Sequence, residues 1–224
     1  MVSAFFTANN IKIFLHSLQF LAAIAATLYY YKYKDTFLKY FMFFMWYTAI
    51  NELAARLLVN ALHGNNIILY NVYYIINFTY SILLYRSALS KQKNKRLMLP
   101  LLAIYFVSVV VMCFFFNFRY DFFIYTYVEG ALFVIAGITL YFSEILRSDK
   151  IIHINKNLLF WISTGWLIFY VASIPFFLMR QYYARLSFIS ISMYLIYFLN
   201  FVLYSIFIIG FIWSGREQKS LLQP

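Results

Sequence analysis

Long apolar stretches follow one another along almost the whole chain, separated only by short polar connectors. A bilayer core of about 30 Å needs roughly 20 apolar residues of helix, because each residue advances about 1.5 Å. Stretches of this length lie near residues 11–31, 37–60, 67–88, 97–117, 121–145, 157–178 and 187–213. They are too long for strands and lack the alternation of a membrane barrel. The sequence therefore predicts an all-α, polytopic membrane protein with seven transmembrane helices.

The composition supports this class and argues against a soluble protein. Of the 224 residues, 65% are hydrophobic and only 11% are charged, which is far from the average of soluble domains. We expect one membrane domain spanning residues 1–224. The net charge of +11 would indicate a nucleic-acid ligand in a soluble protein. In a membrane protein it is explained by cations that stay in the cytosol, so no nucleic-acid partner is expected.

The first apolar stretch could be a cleaved signal peptide, because residues 22–26 resemble a small-residue cleavage site. The segment before it carries only Lys12, whereas a signal peptide has a basic start. We expect this stretch to be retained as the first helix.

Lys and Arg are distributed unequally between the two ends of the predicted bundle. The first, third and fifth connectors, the tail and the adjoining helix ends carry Lys32, Lys34, Lys39, Arg86, Lys91, Lys93, Lys95, Arg96, Arg147, Lys150, Lys156, Arg216 and Lys219. The other end carries Lys12, Arg119, Arg180 and Arg185. Since the richer side normally stays in the cytosol, the N-terminus is predicted outside and the C-terminus inside. The predicted location is a membrane that borders the cytosol, crossed several times.

The second stretch contains ionisable residues at helical spacing. Thr48, Glu52, Arg56 and Asn60 are four residues apart and therefore share one helix face. Charged side chains within a bilayer are costly and usually mark a functional site or a structural pair. Glu52 and Arg56 could neutralise each other, so a purely structural role is as well supported by the spacing as a functional one.

Helix direction and phase place further polar residues at related depths, mostly in the predicted outer half. The predicted intramembrane polar residues are Glu52, Arg56, Glu129, His16, Gln19, Asn71, Asn77 and Asn200. If they converge, they line a cavity open to the outside that could bind a small molecule. The alternative is a set of separate interhelical hydrogen bonds, each contributing about 1 kcal/mol.

The basic run at residues 91–96 has two interpretations. Lys91, Lys93, Lys95 and Arg96 could contact anionic lipid headgroups or a partner protein. As a signal for membrane orientation, the run needs no ligand at all.

Several kinds of chemistry find no support in the sequence. The single cysteine, Cys113, forms no intramolecular disulfide, and His16, His63 and His153 lie in different segments, so no metal site is expected. The seventh stretch has no lysine for a retinal Schiff base. We find no catalytic residue set and expect neither an enzyme nor a cofactor.

Four parts of the chain carry a resemblance to known proteins: NNIILYN at 65–71, YVEG at 127–130 with YF at 141–142, FWISTG at 160–165, and NFVLY at 200–204 with FIW at 211–213. They resemble uncharacterised seven-helix membrane proteins of Bacteroidetes-type bacteria, which implies a location in the bacterial inner (cytoplasmic) membrane. Members of this group are often encoded near sensor histidine kinases, which implies an accessory role in signalling. The group often has an acidic residue where this chain has Asn77, and this difference weakens any proton-relay or metal hypothesis that depends on that position.

These observations favour a non-enzymatic membrane sensor or regulatory subunit with an outward-facing polar pocket. The expected surroundings are a lipid bilayer, and the expected partners are a small-molecule ligand and a membrane protein such as a sensor kinase. Two alternatives fit the same sequence: a transporter of small solutes or lipids, and a structural subunit of a larger membrane complex.

Overall fold

A computed structural model describes residues 8–62, 65–148, 154–183 and 189–215, with side chains at 10–59, 65–148, 154–179 and 194–215. These residues are almost entirely helical and include no strand. The long helices are α1 (Ala8–Leu28), α2 (Phe41–Leu62), α3 (Ile67–Ala88), α4 (Gln92–Phe115), α5 (Ile124–Leu146), α6 (Leu158–Tyr183) and α7 (Ile189–Trp213). Two short 3₁₀ turns, Tyr30–Lys32 and Phe37–Tyr40, join α1 to α2. The all-α class predicted from the sequence is confirmed.

Six of the long helices are long and apolar enough to cross a membrane. This property indicates a multi-pass membrane protein. The exception is α2, which is 22 residues long but carries Asn51, Glu52 and Arg56 in its apolar sequence. These polar residues lower its hydropathy below that of the other six.

The helix bounds follow the apolar stretches closely, and the largest differences, of five residues, are at the start of α4 and at the end of α6, which reaches Tyr183 rather than 178. The apolar stretch predicts a start near residue 97, whereas α4 begins at Gln92. The polar residues 92–96 include good helix formers, so the helix extends beyond the segment that hydrocarbon alone would define. Glu144 on α5 supports this start, because its carboxylate accepts hydrogen bonds from the backbone N–H groups of Ser90 and Lys91.

Helix packing forms a nearly closed ring. α1 packs between α2 and α7, α7 packs on α6, α6 on α5, and α5 on α3. α4 lies against α3 and α5. Consecutive helices are in contact, as expected from their short connectors.

Aromatic rings occupy the centre of the bundle. Phe41 is fully buried, and its ring centroid lies 5.6 to 6.0 Å from those of Phe44, Trp166, Phe207 and Phe211. The edge-to-face geometry of several of these pairs is favourable because ring edges carry positive and faces negative partial charge. The rings therefore connect α2, α6 and α7.

Contacts between connectors identify the two ends of the bundle. Lys32 binds the end of α7, Gly215 N donates to Lys156 O over 2.9 Å, and Glu144 binds the turn before α4. We call this the basic end, since it gathers the lysine-rich connectors. At the opposite end, Asn65 Nδ2 donates to Arg119 O over 3.4 Å. Lys150, Arg185, Arg216 and Lys219 are outside the described residues, and the side chain of Arg180 is not described.

α6 and α7 approach each other closely at two glycines. A Cβ atom at Gly210 would lie 2.5 Å from Trp161 Cβ, and one at Gly165 would lie 3.0 Å from the Phe207 ring. Trp161 is further held by a hydrogen bond from its indole Nε1 to Asn155 O over 2.9 Å. Its Cβ is near the backbone and cannot move away easily, so this contact requires glycine.

Gly210→Val is expected to destabilise the bundle. Overpacking typically costs about 1–3 kcal/mol, because side chains and backbone must shift to admit the new atoms. The midpoint of thermal unfolding in detergent should fall, whereas the matched Ala103→Val change on the exposed side of α4 should leave it nearly unchanged. Equal midpoints for the two variants would contradict this close packing.

Candidate functional site

Two of the predicted intramembrane residues, Gln19 and Glu52, lie in one polar neighbourhood between four helices. Tyr70 on α3 donates a hydrogen bond from Oη to Glu52 Oε1 on α2 over 3.2 Å. Gln19 Nε2 on α1 donates to Tyr204 Oη on α7 over 2.6 Å. The Tyr204 hydroxyl is also within electrostatic range of Glu52. These groups therefore share one region of the bundle interior.

Two more tyrosines belong to this neighbourhood. Tyr73 on α3 lies within electrostatic range of Glu52 and of Tyr204. Tyr197 on α7 lies within the same range of Tyr70. We call the resulting group the hydroxyl cluster: Gln19, Glu52, Tyr70, Tyr73, Tyr197 and Tyr204. Its carboxylate, amide and four phenolic hydroxyls can donate and accept hydrogen bonds, and the carboxylate would attract a cationic group.

The hydroxyl cluster lies beside the seam between α2 and α3. The two backbones come close at few positions along this seam, and aromatic rings fill the space between them. Phe44 and Tyr80 stack with their ring centroids 4.7 Å apart, and Tyr47 and Tyr73 stack at 5.9 Å. The seam is thus held by ring contacts and the bond to Glu52, rather than by interlocking backbones.

Asn71, another predicted site residue, has a different role. Its Nδ2 donates to Phe118 O over 2.9 Å and to Asp121 O over 2.8 Å, and its Oδ1 accepts from Phe123 N over 3.2 Å. All three bonds satisfy backbone groups of the connector between α4 and α5. Asn71 is therefore fully used in securing that connector to α3.

The other predicted amides also point to separate partners. Asn77 Nδ2 donates to Tyr170 Oη on α6 over 2.9 Å. Asn200 Nδ2 donates to Ile196 O of its own helix over 2.8 Å. Neither bond involves the hydroxyl cluster.

The remaining predicted residues are half-buried. Glu129 on α5 interacts electrostatically with Tyr105 on α4. His16 lies one turn before Gln19 on α1, and Arg56 lies one turn after Glu52 on α2. The side chain of Asn60, the last member of the α2 stripe, is outside those the structure describes.

Buried hydroxyl pairs connect α6 to the neighbouring helices. Tyr85 on α3 and Ser163 on α6 are 2.8 Å apart at their oxygens, as are Tyr127 on α5 and Ser173 on α6. With the Asn77–Tyr170 bond, they give α6 three interhelical hydrogen bonds. Each serves two polar groups that hydrocarbon could not solvate.

Sequence reasoning missed the tyrosines of these pairs and of the hydroxyl cluster. The 27 Phe and 22 Tyr residues suggest core packing and aromatic belts, which is the usual role of aromatic residues in membrane proteins. A useful signal was available, since a tyrosine far from either predicted interface still needs a partner for its O–H.

At the basic end, Lys32 caps the last helix. Its Nζ donates to Phe211 O and Ile212 O over 2.9 Å each, and to Ser214 O over 2.8 Å. These carbonyls have no partner within the helix, and the negative end of the helix dipole favours a cation there. Burial, together with the nearby charge of Lys156, lowers the pKa of the Lys32 ammonium.

Two open clefts lie at this end. One, of about 380 Å³, is lined by Asn155, Lys156, Ile212, Trp213 and Ser214. The other, of about 270 Å³, is lined by Arg86, Ser87, Gln92, Lys95, Arg96 and Leu99. Of the predicted headgroup contacts, Lys95 and Arg96 line the second cleft. Lys91 and Lys93 are exposed beside it.

The described residues include no group of three or more His, Cys, Asp or Glu side chains that could hold a metal ion. Comparison with protein-family models, curated proteins and solved structures found no match for the chain. The interpretation of the site therefore depends on its own geometry.

The Asn77–Tyr170 bond is expected to contribute measurably to stability. In a double-mutant cycle of Asn77→Ala and Tyr170→Phe, we expect a coupling energy of about 0.6–2 kcal/mol, as for other hydrogen bonds between membrane helices. Unfolding in detergent measures each variant, and Tyr31→Phe at an exposed position serves as the control. Additive effects of the two changes would show that the bond is energetically unimportant.

Proposed function

We propose that this chain is a non-enzymatic sensor or regulatory subunit of the bacterial inner membrane. The hydroxyl cluster would recognise a small polar or cationic molecule from the outer side. A membrane partner, such as a sensor histidine kinase, would respond to the resulting helix movement.

One observation carries this proposal. Glu52 is bonded to α3 through Tyr70 and lies within electrostatic range of Tyr204 on α7, beside the seam between α2 and α3 that aromatic rings fill. A carboxylate within a membrane bundle is costly and is usually placed for function. Here it is surrounded by groups that could also bind a solute.

The same geometry suggests how binding would be transmitted. A ligand that bonds to Glu52 would compete with Tyr70 and shift the equilibrium between two positions of α2 relative to α3. α2 is joined to the basic end by the 3₁₀ turn Phe37–Tyr40. Movement of α2 would therefore reach the end of the bundle where a cytosolic partner could bind.

The proposed topology has seven crossings, with the N-terminus outside and the C-terminus in the cytosol. In this arrangement α2 crosses the membrane despite its polar residues, because packing against α1 and α3 leaves Asn51, Glu52 and Arg56 half-buried. The gathering of lysine-rich connectors at one end supports the cytosolic assignment of that end.

Neutralising Glu52 should weaken ligand retention. The full-length protein would be purified from native membranes in mild detergent, and co-purifying small molecules measured by mass spectrometry. Glu52→Gln should reduce the amount of a retained molecule about tenfold, because hydrogen bonds to charged groups contribute roughly 1.5–3 kcal/mol. Glu129→Gln is the matched control, since Glu129 is a half-buried carboxylate outside the hydroxyl cluster. Loss in the control but not in Glu52→Gln would overturn the proposed site.

Reporter fusions would test the topology. Alkaline phosphatase is active only outside the cytosol, so a fusion after residue 64 should be active. Fluorescent proteins fluoresce in the cytosol, so fusions after residues 34, 90 and 215 should fluoresce. Six crossings would place the two termini on the same side of the membrane. An N-terminal tag accessible only from the cytosol, with a fluorescent C-terminal fusion, would contradict seven crossings.

A further inference from the structure

We propose that the cleft at the start of α4 binds an anionic phospholipid. The phosphate of the headgroup would lie among Arg86, Lys95 and Arg96, and the acyl chains would lie along the exposed face of α4. This site is separate from the hydroxyl cluster.

The cleft joins cations from two helices. Arg86 is in the last turn of α3, whereas Lys95 and Arg96 are in the first two turns of α4. All three line a space of about 270 Å³ together with Gln92, whose amide can donate a further hydrogen bond. Arginine suits this role because its planar guanidinium binds phosphate oxygens in pairs.

The turn between α3 and α4 is fixed, so these cations are positioned before a ligand arrives. Glu144 Oε2 accepts from Ser90 N over 2.6 Å, and its Oε1 accepts from Asn94 Nδ2 over 2.6 Å. Leu89, at the end of α3, is buried. The Glu144 carboxylate is occupied by these donors and does not line the cleft.

The cleft continues directly into an apolar surface. Gln92, Lys95, Arg96 and Leu99 are spaced i, i+3, i+4 and i+7, which places them on one helix face. The exposed residues that continue this face toward the other end of α4 are Leu99, Ala103, Phe106, Val107, Val110 and Phe114. One face of α4 is therefore polar and cationic at the basic end and apolar beyond it.

The length of this face matches a lipid. Residues 99 and 110 are about 16 Å apart along a helix, and one leaflet contributes about 15 Å of hydrocarbon. α4 is also the spanning helix least covered by the protein: 17% of its most apolar window is buried, against 33–39% for the other five. A phospholipid fits both the charge and the apolar surface, whereas a free phosphate would use only the charge.

Lipid binding to the full-length protein in detergent can be titrated by native mass spectrometry. The probes are phosphatidylglycerol, phosphatidylcholine and inorganic phosphate. The test variant is Arg86→Gln/Lys95→Gln/Arg96→Gln. The matched control, Lys34→Gln/Lys39→Gln/Arg147→Gln, removes three exposed cations from the same end outside the cleft.

The test variant should bind phosphatidylglycerol about a hundredfold more weakly, because it removes three cations that line the cleft and each cation close to the headgroup contributes roughly fivefold. The control should change binding less than twofold. Arg86→Lys/Arg96→Lys keeps the charge but loses the paired hydrogen bonds, so its affinity should lie between those of the wild type and the test variant, and this variant separates charge from damage to the fold.

Three results would overturn the proposal. They are equal losses in the test and control variants, equal binding of phosphatidylcholine and phosphatidylglycerol, and displacement of phosphatidylglycerol by millimolar phosphate. None of these results affects the Glu52 proposal, because that experiment measures a different site at the other side of the bundle.

Discussion

The helix register of this bundle depends on buried hydroxyls that find partners on neighbouring helices, although the hydroxyls of Thr79, Tyr80 and Ser81 on α3 are buried without one. Lipid offers no hydrogen bonds, and packing of apolar side chains alone distinguishes poorly between one helix register and another. The Tyr85–Ser163, Tyr127–Ser173 and Asn77–Tyr170 bonds each join two helices at a defined depth. A helix that slid by one turn, about 5.4 Å, would leave its hydroxyls unpaired. These bonds therefore specify the register that the aromatic rings then fill.

The same requirement governs the ends of the bundle. Lys32 satisfies the final carbonyls of α7, Glu144 satisfies the N–H groups before α4, and Asn71 satisfies the connector between α4 and α5. In each case a side chain on one helix serves backbone groups of another segment that cannot bond within a helix. Short connectors become rigid in this way, and the cationic cleft at the start of α4 follows from that rigidity.

The sequence predicted the helices well because the thickness of a bilayer fixes how many apolar residues a spanning helix needs, and stretches of that length are visible in the sequence. It predicted the site only in part. Glu52 and Gln19 were identified because polar residues stand out in an apolar stretch. Glu129, Asn77 and Asn71 were grouped with them on depth alone, and depth does not determine which neighbour a helix face meets. The tyrosines were missed because an aromatic ring has the same hydropathy whether its hydroxyl reaches lipid headgroups or a buried amide.

α2 links the proposed function to the physics of the bundle. In the part of the chain that the structure describes, it is the long helix without a continuous stretch apolar enough to cross a membrane, so its position depends more on protein contacts than on lipid. Along the seam with α3, these contacts are stacked rings, which tolerate small displacements, and the bond between Tyr70 and Glu52. A solute that replaced Tyr70 at the carboxylate would remove the directional contact and leave the tolerant ones. Solute binding and the movement of α2 would then be linked. The shift in the position of α2 would be limited by how much more tightly the solute binds to one position of the helix than to the other.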